Sequence, residues 1–206
     1  MIRALQGLTA VLTLLVAGCA TAPPDDQGNL CSIFEQYPDW YDHARASERA
    51  WGTPVAVQMA FVHQESSFRS HARPPRKWLW FIPWGRQTSA KGYAQALDGT
   101  WEEYLDERGG LFRSRTDMED ALDFIGWYNR KTHRQLGIAY TDAYGMYLAY
   151  HEGRGGYRSG KWKNKPKLKA AARKVARIAK RYRGQLDRCK SRFRCDSWYQ
   201  FWPFCS

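Results

Sequence analysis

The most constraining feature of the sequence is an apolar run from Val55 to Val62. Thr53 offers an N-cap and Pro54 a first helical position, so the run predicts a helix. A helix that is apolar almost all round has no face for solvent and belongs in a core. Glu65 follows three residues after the run and therefore places a carboxyl group at the end of the most buried helix.

The rest of the chain also favours helices. Pro38 and Gly52 bracket a further helix, and three threonines match N-cap positions: Thr100, Thr116 and Thr141. No segment shows the period-two alternation of a half-buried strand. With 206 residues, 44% of them hydrophobic, the chain is long enough for one folded domain with appendages. These features predict a mainly α fold with about six helices.

The amino terminus has the pattern of an export signal. Arg3 supplies a charge, Leu8–Leu15 an apolar stretch, and Leu15–Cys19 resembles the lipobox of bacterial lipoproteins, whose cysteine is acylated. The apolar stretch has only about half of the roughly 20 residues that a bilayer-spanning helix requires. Residues 1–18 are thus predicted to be a lipoprotein signal peptide, with an ordinary cleaved secretory signal as the alternative.

The residues after Cys19 predict a location. Ala20 resembles the Gram-negative sorting pattern for the outer membrane, which implies anchoring of Cys19 at its periplasmic face. Residues 19–30 contain two prolines and two aspartates and are interpreted as a tether.

The remaining four cysteines predict two disulfides, because their number is even and the context is secreted: Cys31, Cys189, Cys195 and Cys205. A zinc site is the alternative, but the paired C-x-x-C spacing of such sites is missing. Three pairings are possible. We favour Cys195 with Cys205, and Cys31 with Cys189, which connects the two ends of the domain.

The positive charge is concentrated near the carboxyl terminus. Of a net charge of +12, residues 161–194 contribute fifteen Lys or Arg and one acid, so the rest of the chain is weakly acidic. Pro166 begins a predicted amphipathic helix with an apolar stripe: Leu168, Ala172, Val175, Ala179, Tyr182 and Leu186. A cationic helix attracts nucleic acid, membranes or anionic wall polymers. The export signal argues against nucleic acid, and a solvated face without a partner is the alternative.

Glu65 is the strongest catalytic candidate. A carboxyl group at the edge of an apolar helix loses hydration, which raises its pKa towards neutrality and allows it to donate a proton. The alternative is an exposed glutamate at a helix end, and the sequence around Glu65 alone favours this alternative.

Three motifs between Pro54 and Tyr157 favour the catalytic interpretation. Gln64–Phe68 resembles the first motif of the soluble-type lytic transglycosylases, whose glutamate is the catalytic acid. Gly92–Gln95 resembles the Gly-Leu-Met-Gln segment of that family, and Ala149–Gly153 its Ala-Tyr-Asn-Ala-Gly motif. The motifs occur in the family order. The resemblance implies a lysozyme-like transglycosylase domain, which we place at residues 31–160. The charge pattern and the cysteines add a basic helix and a disulfide-stapled aromatic tail at 161–206, predicted to pack on this domain.

The motifs also depart from the family pattern. His151 replaces the usual asparagine, Glu152 a small residue, and Tyr93-Ala94 the common Leu-Met. The segment from Ser70 to Gly92 is longer than usual and rich in tryptophan and proline between residues 73 and 86. Its rings either contact glycan, enter a membrane interface or anchor the loop.

The resemblance implies cleavage of the β-1,4 bond between N-acetylmuramic acid and N-acetylglucosamine in peptidoglycan, with a 1,6-anhydro product. Glu65 is the implied acid. Candidates to bind or orient the glycan are Ser66, Gln95 and His151. Tyr150 either orients Glu65 or is a core ring. No metal or other cofactor is required.

Three alternatives remain open. A hydrolytic muramidase needs a second carboxyl group, which Asp98, Glu102 or Glu152 offers. A non-catalytic lipoprotein that holds wall or membrane is a different class. DNA binding has only the charge in its favour.

Overall fold

The computed structural model describes residues 21–110 and 112–193. This part of the chain contains seven α-helices and one antiparallel hairpin. The helices are α1 (Leu30–Gln36), α2 (Pro38–Trp51), α3 (Val55–Ser66), α4 (Asp98–Arg108), α5 (Met118–Leu136), α6 (Ala143–Arg158) and α7 (Pro166–Cys189). Strands β1 (Arg76–Leu79) and β2 (Ile82–Arg86) form the hairpin, and two 3-10 turns follow α6 and α7, at Lys161–Asn164 and Lys190–Phe193. The mainly α prediction is confirmed, whereas the hairpin was not expected.

Helix α3 lies at the centre of the fold. Every residue from Val55 to Val62 is buried, and α2, α5 and α7 pack around the helix. Its one polar residue in this run, Gln58, donates from Nε2 to the carbonyl oxygens of Ala44 (3.1 Å) and Thr53 (2.7 Å). Each large apolar side chain buried here contributes about 1.5–3 kcal/mol relative to exposure. The prediction that this run forms a buried helix is confirmed.

The predicted N-caps were wrong in detail. Helices α5 and α6 are capped by Asp117 and Asp142, whose carboxylates accept from the backbone N–H groups three residues later, so the neighbouring Thr116 and Thr141 are not the caps. An aspartate also interacts favourably with the positive end of the helix dipole. Thr100 lies inside α4, which begins at Asp98.

Helix α7 packs its apolar stripe on α3 and α6 as predicted. Five residues of the stripe are buried, Leu168, Ala172, Val175, Ala179 and Tyr182, and Leu186 is half-buried. The predicted disulfide between Cys31 and Cys189 is present and joins α1 to the end of α7. The predicted Cys195–Cys205 pair lies outside the described residues.

The start of the described chain is held against the fold. The backbone oxygen of Ala22 accepts a hydrogen bond from the Tyr37 hydroxyl (2.8 Å). The oxygen of Gln27 accepts one from Tyr182 of α7. Gln185, also on α7, donates to Gly28 O (3.0 Å). The part of the predicted tether from residue 21 onward is therefore bound to helices and not free.

Two features are absent from the described residues. No helix in residues 21–110 or 112–193 is long and apolar enough to cross a membrane. No group of three or more His, Cys, Asp or Glu in the same ranges is arranged to hold a metal ion.

The loop after the hairpin is fixed by close backbone contacts. Gly92 has a φ of 80°, and its N–H donates to Ala72 O (3.0 Å), while Tyr93 N–H donates to Arg115 O (3.1 Å). A Cβ atom on Gly92 would lie 1.8 Å from the Arg115 oxygen. Only glycine fits this position, because both the dihedral angle and the lack of space exclude a side chain.

We predict that Gly92→Ala destabilises the protein by about 2–4 kcal/mol, since the methyl group must displace backbone that is hydrogen-bonded. Gly99→Ala is the matched control, because a Cβ at Gly99 in α4 meets nothing within 4 Å. The control should leave stability unchanged or raise it slightly. Urea unfolding of the two variants measures the difference, and equal midpoints would contradict the packing argument.

Candidate active site

Glu65 lies in the last turn of α3, where the chain leaves the core. The two residues after the helix, Ser67 and Phe68, have positive φ values of 50° and 58°. These are left-handed conformations that cost non-glycine residues free energy. Phe68 is fully buried and stacks on Trp40, with ring centroids 5.9 Å apart. The buried Phe68 side chain therefore holds a sharp, strained turn immediately beyond Glu65.

The carboxyl group of Glu65 is desolvated although the residue keeps some exposure. Burial raises its pKa from 4.5 to about 7, and a hydrogen bond with Tyr147 opposes the rise. The Tyr147 ring packs on Phe61, one turn before Glu65, with centroids 5.4 Å apart. Near neutral pH this carboxyl group is present in both protonation states and can donate and accept a proton.

Tyr150 does not orient Glu65 through a direct hydrogen bond. Its hydroxyl donates to the Ala94 carbonyl oxygen (2.6 Å), and its ring packs on Phe61 (5.3 Å) and Tyr128 (5.0 Å). The pKa of Tyr150 is raised by burial and, secondarily, by the charge of Glu65. Tyr150 thus connects α6, α3 and the loop at Gly92–Ala96 close to Glu65.

Tyr147 is the residue that the sequence analysis missed. Its pKa is raised by burial, by the Glu65 charge and by the hydrogen bond to Glu65. Tyr147 and Tyr150 are three residues apart, and this spacing places both on one face of α6. The spacing was visible in the sequence, but only the structure shows that the earlier tyrosine reaches the carboxyl group.

Gln95 supports the loop from within. It has a positive φ of 48°, and its Nε2 donates to the carbonyl oxygens of Ala72 (2.9 Å) and Gly92 (2.8 Å). Both amide hydrogens are therefore used in the fold. The structure assigns Gln95 a role in shaping the loop, and glycan binding by its remaining oxygen stays a prediction.

Ser66 and His151 differ from each other in exposure. Ser66 is buried, and its hydroxyl donates a hydrogen bond to Val62 O (3.0 Å) in the last turn of α3. The Ser66 hydroxyl therefore does not face solvent. The His151 side chain is 53% exposed and lies 3.6 Å from the Glu152 carboxylate. The Glu152 carboxylate also forms an ion pair with Lys165, whose Nζ lies 2.7 Å from Oε1. This ion pair lowers the pKa of Glu152.

A histidine two residues before Glu65 ties α3 to α7. The Tyr182 hydroxyl donates to Gln27 O and therefore accepts from Nδ1 of His63, at 2.7 Å. Burial lowers the pKa of His63, and the nearby charges of Lys174 and Arg181 lower it further. His63 is thus kept neutral and acts as a fixed connection between the two helices.

The exposed hairpin turn carries two aromatic side chains. Trp80 and Phe81 are 88% and 81% exposed. The hairpin is held at its base by Arg86, which donates to Pro74 O (2.6 Å). The anchoring interpretation is therefore wrong for these two rings, whereas the other tryptophan side chains of the hairpin lie outside the description.

The structure therefore brings Glu65, Ala94 and Tyr150 together from three separate motifs, and Tyr147, just before the third motif, joins them. A family model described as the transglycosylase SLT domain matches residues 7–189, which includes every described helix. Comparison with curated proteins gives no significant match. Because the family match covers most of the sequence, the chain belongs to the transglycosylase SLT domain family, and its function in general terms is that of a peptidoglycan lytic transglycosylase.

Proposed function

We propose that the protein cleaves the β-1,4 bond between N-acetylmuramic acid and N-acetylglucosamine and leaves a 1,6-anhydro end. The observation that carries this proposal is the single carboxyl group of Glu65, desolvated and with a pKa of about 7. A group that is to donate and then accept a proton works best when its pKa is near the working pH.

In the first step protonated Glu65 donates its proton to the glycosidic oxygen, and the bond from that oxygen to C1 of the muramic residue breaks. Positive charge develops at C1, and the N-acetyl group of the same sugar assists its stabilisation. Glu65 is left as a carboxylate. The hydrogen bond from Tyr147 stabilises this charged form, which burial alone disfavours.

In the second step the Glu65 carboxylate takes the proton from the C6 hydroxyl of the sugar. The C6 oxygen bonds to C1 and closes the 1,6-anhydro ring, so that Glu65 is protonated again. Water takes no part and the cycle needs one carboxyl group, which matches the single desolvated carboxyl group that the described residues place here.

A hydrolytic muramidase requires a second carboxyl group near Glu65, and this requirement argues against it. Such a group lies roughly 5–9.5 Å from the acid, and its charge would raise the pKa of Glu65 further. Within residues 21–110 and 112–193, burial and Tyr147 alone account for the shift. Of the candidates, Asp98 is paired with Arg115 (2.6 Å) and Glu152 with Lys165, while Glu102 is exposed.

We further propose that the enzyme acts from the periplasmic face of the outer membrane, anchored by acylation of Cys19. The support is the lipobox-like sequence Leu15–Cys19 and Ala20 after it. Two or more acyl chains give stable anchoring, which a single chain does not. A non-catalytic envelope-binding lipoprotein has the same anchor but makes no use of a carboxyl group tuned to neutrality.

Digestion of purified sacculi tests the cleavage. We expect the wild-type protein to release muropeptides with 1,6-anhydro ends, and Glu65→Gln to lose at least about a thousandfold in rate, because an amide cannot donate the proton. Mass spectrometry of the products measures both. Reducing ends in place of anhydro ends would identify a hydrolase, and inactivity of the wild type would favour the non-catalytic class.

Tyr147→Phe should shift the alkaline limb of the pH–activity profile upward by about one pH unit. Loss of the hydrogen bond disfavours the charged form of Glu65, so the protonated acid persists to higher pH. Tyr144→Phe, three residues earlier on α6, is the matched control and should leave the limb in place. A profile unchanged in Tyr147→Phe would remove Tyr147 from the proton-transfer argument.

Glu65→Gln should be more stable than the wild type above pH 7, by about 3 kcal/mol. The raised pKa means that the folded protein binds a proton more tightly than the unfolded chain, so wild-type stability falls as pH rises from 4.5 to about 7. Below pH 4.5 the two proteins should have equal stability. Denaturant unfolding at both ends of this range measures the difference, with exposed Glu102→Gln as the control.

A further inference from the structure

The solvent side of α7 carries a continuous positive surface. We call it the cationic face, and it consists of Arg173, Lys174, Arg177, Lys180, Arg181 and Arg188, all exposed. None of the six forms an ion pair with another described residue, and the only acid on the helix, Asp187, is paired with Lys190 (3.1 Å). The face spans about 22 Å at 1.5 Å per residue. Its charges repel one another, and no acid in the described part of the chain neutralises them.

The cationic face lies on the side of α7 opposite the helices that carry the catalytic residues, and its edge, at Lys174 and Arg181, comes near His63. The opposite side of α7 packs on α3 and α6, which carry Glu65 and Tyr147. A partner bound to Arg173, Arg177 and Lys180 is therefore separated from Glu65 by α7 itself. Such a partner can orient the enzyme without blocking the substrate.

The amino-terminal segment reaches this same helix at residues 27–31. Gln27 is bound to Tyr182, Gln185 donates to Gly28, and the disulfide joins Cys31 to Cys189. Cys19 is eight positions before Gln27, so the two residues lie at most about 28 Å apart even with the chain fully extended, and Ala22 between them is held by Tyr37. If Cys19 is acylated, as the proposed function has it, the membrane surface lies within this distance of α7.

We propose that the cationic face of α7 binds the anionic phospholipid headgroups of the membrane in which the protein is anchored. Charge complementarity and the short tether support this partner over a distant polymer. Positive charges at an anionic membrane surface strengthen binding by about fivefold each, within a Debye length of about 10 Å. The helix then lies on the membrane, and Glu65 and Tyr147 are on the side of α7 that faces away from lipid.

Vesicle sedimentation tests this with a chain that lacks the predicted signal, residues 1–18, and carries Cys19→Ser, so that neither the signal nor an acyl group contributes. We expect binding to vesicles of phosphatidylglycerol and phosphatidylethanolamine, weakening as salt is raised, and no binding to phosphatidylcholine vesicles. Arg173→Gln with Arg177→Gln should weaken binding by roughly ten- to thirtyfold.

The matched control removes the same charge elsewhere. Arg49 and Arg134 are exposed and lie on α2 and α5, so Arg49→Gln with Arg134→Gln should leave vesicle binding unchanged. Equal loss in both double variants, equal binding to neutral vesicles, or binding to purified sacculi and not to vesicles would each overturn the proposal. Glu65→Gln should bind vesicles like the wild type, so failure of the cleavage proposal and failure of this one are separable.

Discussion

The desolvation of Glu65 is the physical constraint on which the site depends. It follows from the burial of α3, because a helix without a polar face draws α2, α5 and α7 around it and leaves its last turn at the boundary of the core. The cost of a charge in this environment is what moves the pKa of the carboxyl group to about 7. Core packing and proton transfer are therefore two consequences of one arrangement.

The residues around Glu65 are positioned by contacts that are mostly structural. The Tyr150 hydroxyl donates to the Ala94 carbonyl oxygen, and the Gln95 amide donates to those of Ala72 and Gly92. Three non-glycine residues of the site region, Ser67, Phe68 and Gln95, have positive φ values. Strain of this kind persists only where packing and hydrogen bonds outweigh it. Among residues 21–110 and 112–193, Tyr147 is the one whose side chain hydrogen-bonds to the carboxyl group.

The sequence predicted those features that depend on local pattern or on one strong chemical preference. The buried helix, the amphipathic α7, the Cys31–Cys189 bond and the position of Glu65 belong to this class. The predicted caps of α5 and α6 failed because adjacent Thr and Asp residues compete for one position, and neighbouring backbone geometry decides between them. The hairpin was not predicted, because its sequence lacks the period-two alternation by which a strand is recognised. The choice between Tyr147 and Tyr150 depends on distances of about one helical turn, which spacing alone does not resolve.

Helix α7 combines two requirements in one segment. Its apolar stripe completes the burial of α3, so the helix cannot be removed without hydrating the surroundings of Glu65. Its cations extend from the opposite side of the helix. Burial without a partner would be costly for these charges, so they require contact with solvent or with an anionic surface. The disulfide and the Tyr182–Gln27 hydrogen bond fix the amino-terminal segment to the same helix. The segment that follows the proposed lipid anchor and the helix that carries the proposed acid are thus both attached to α7, so that membrane attachment would also bias which way the acid faces.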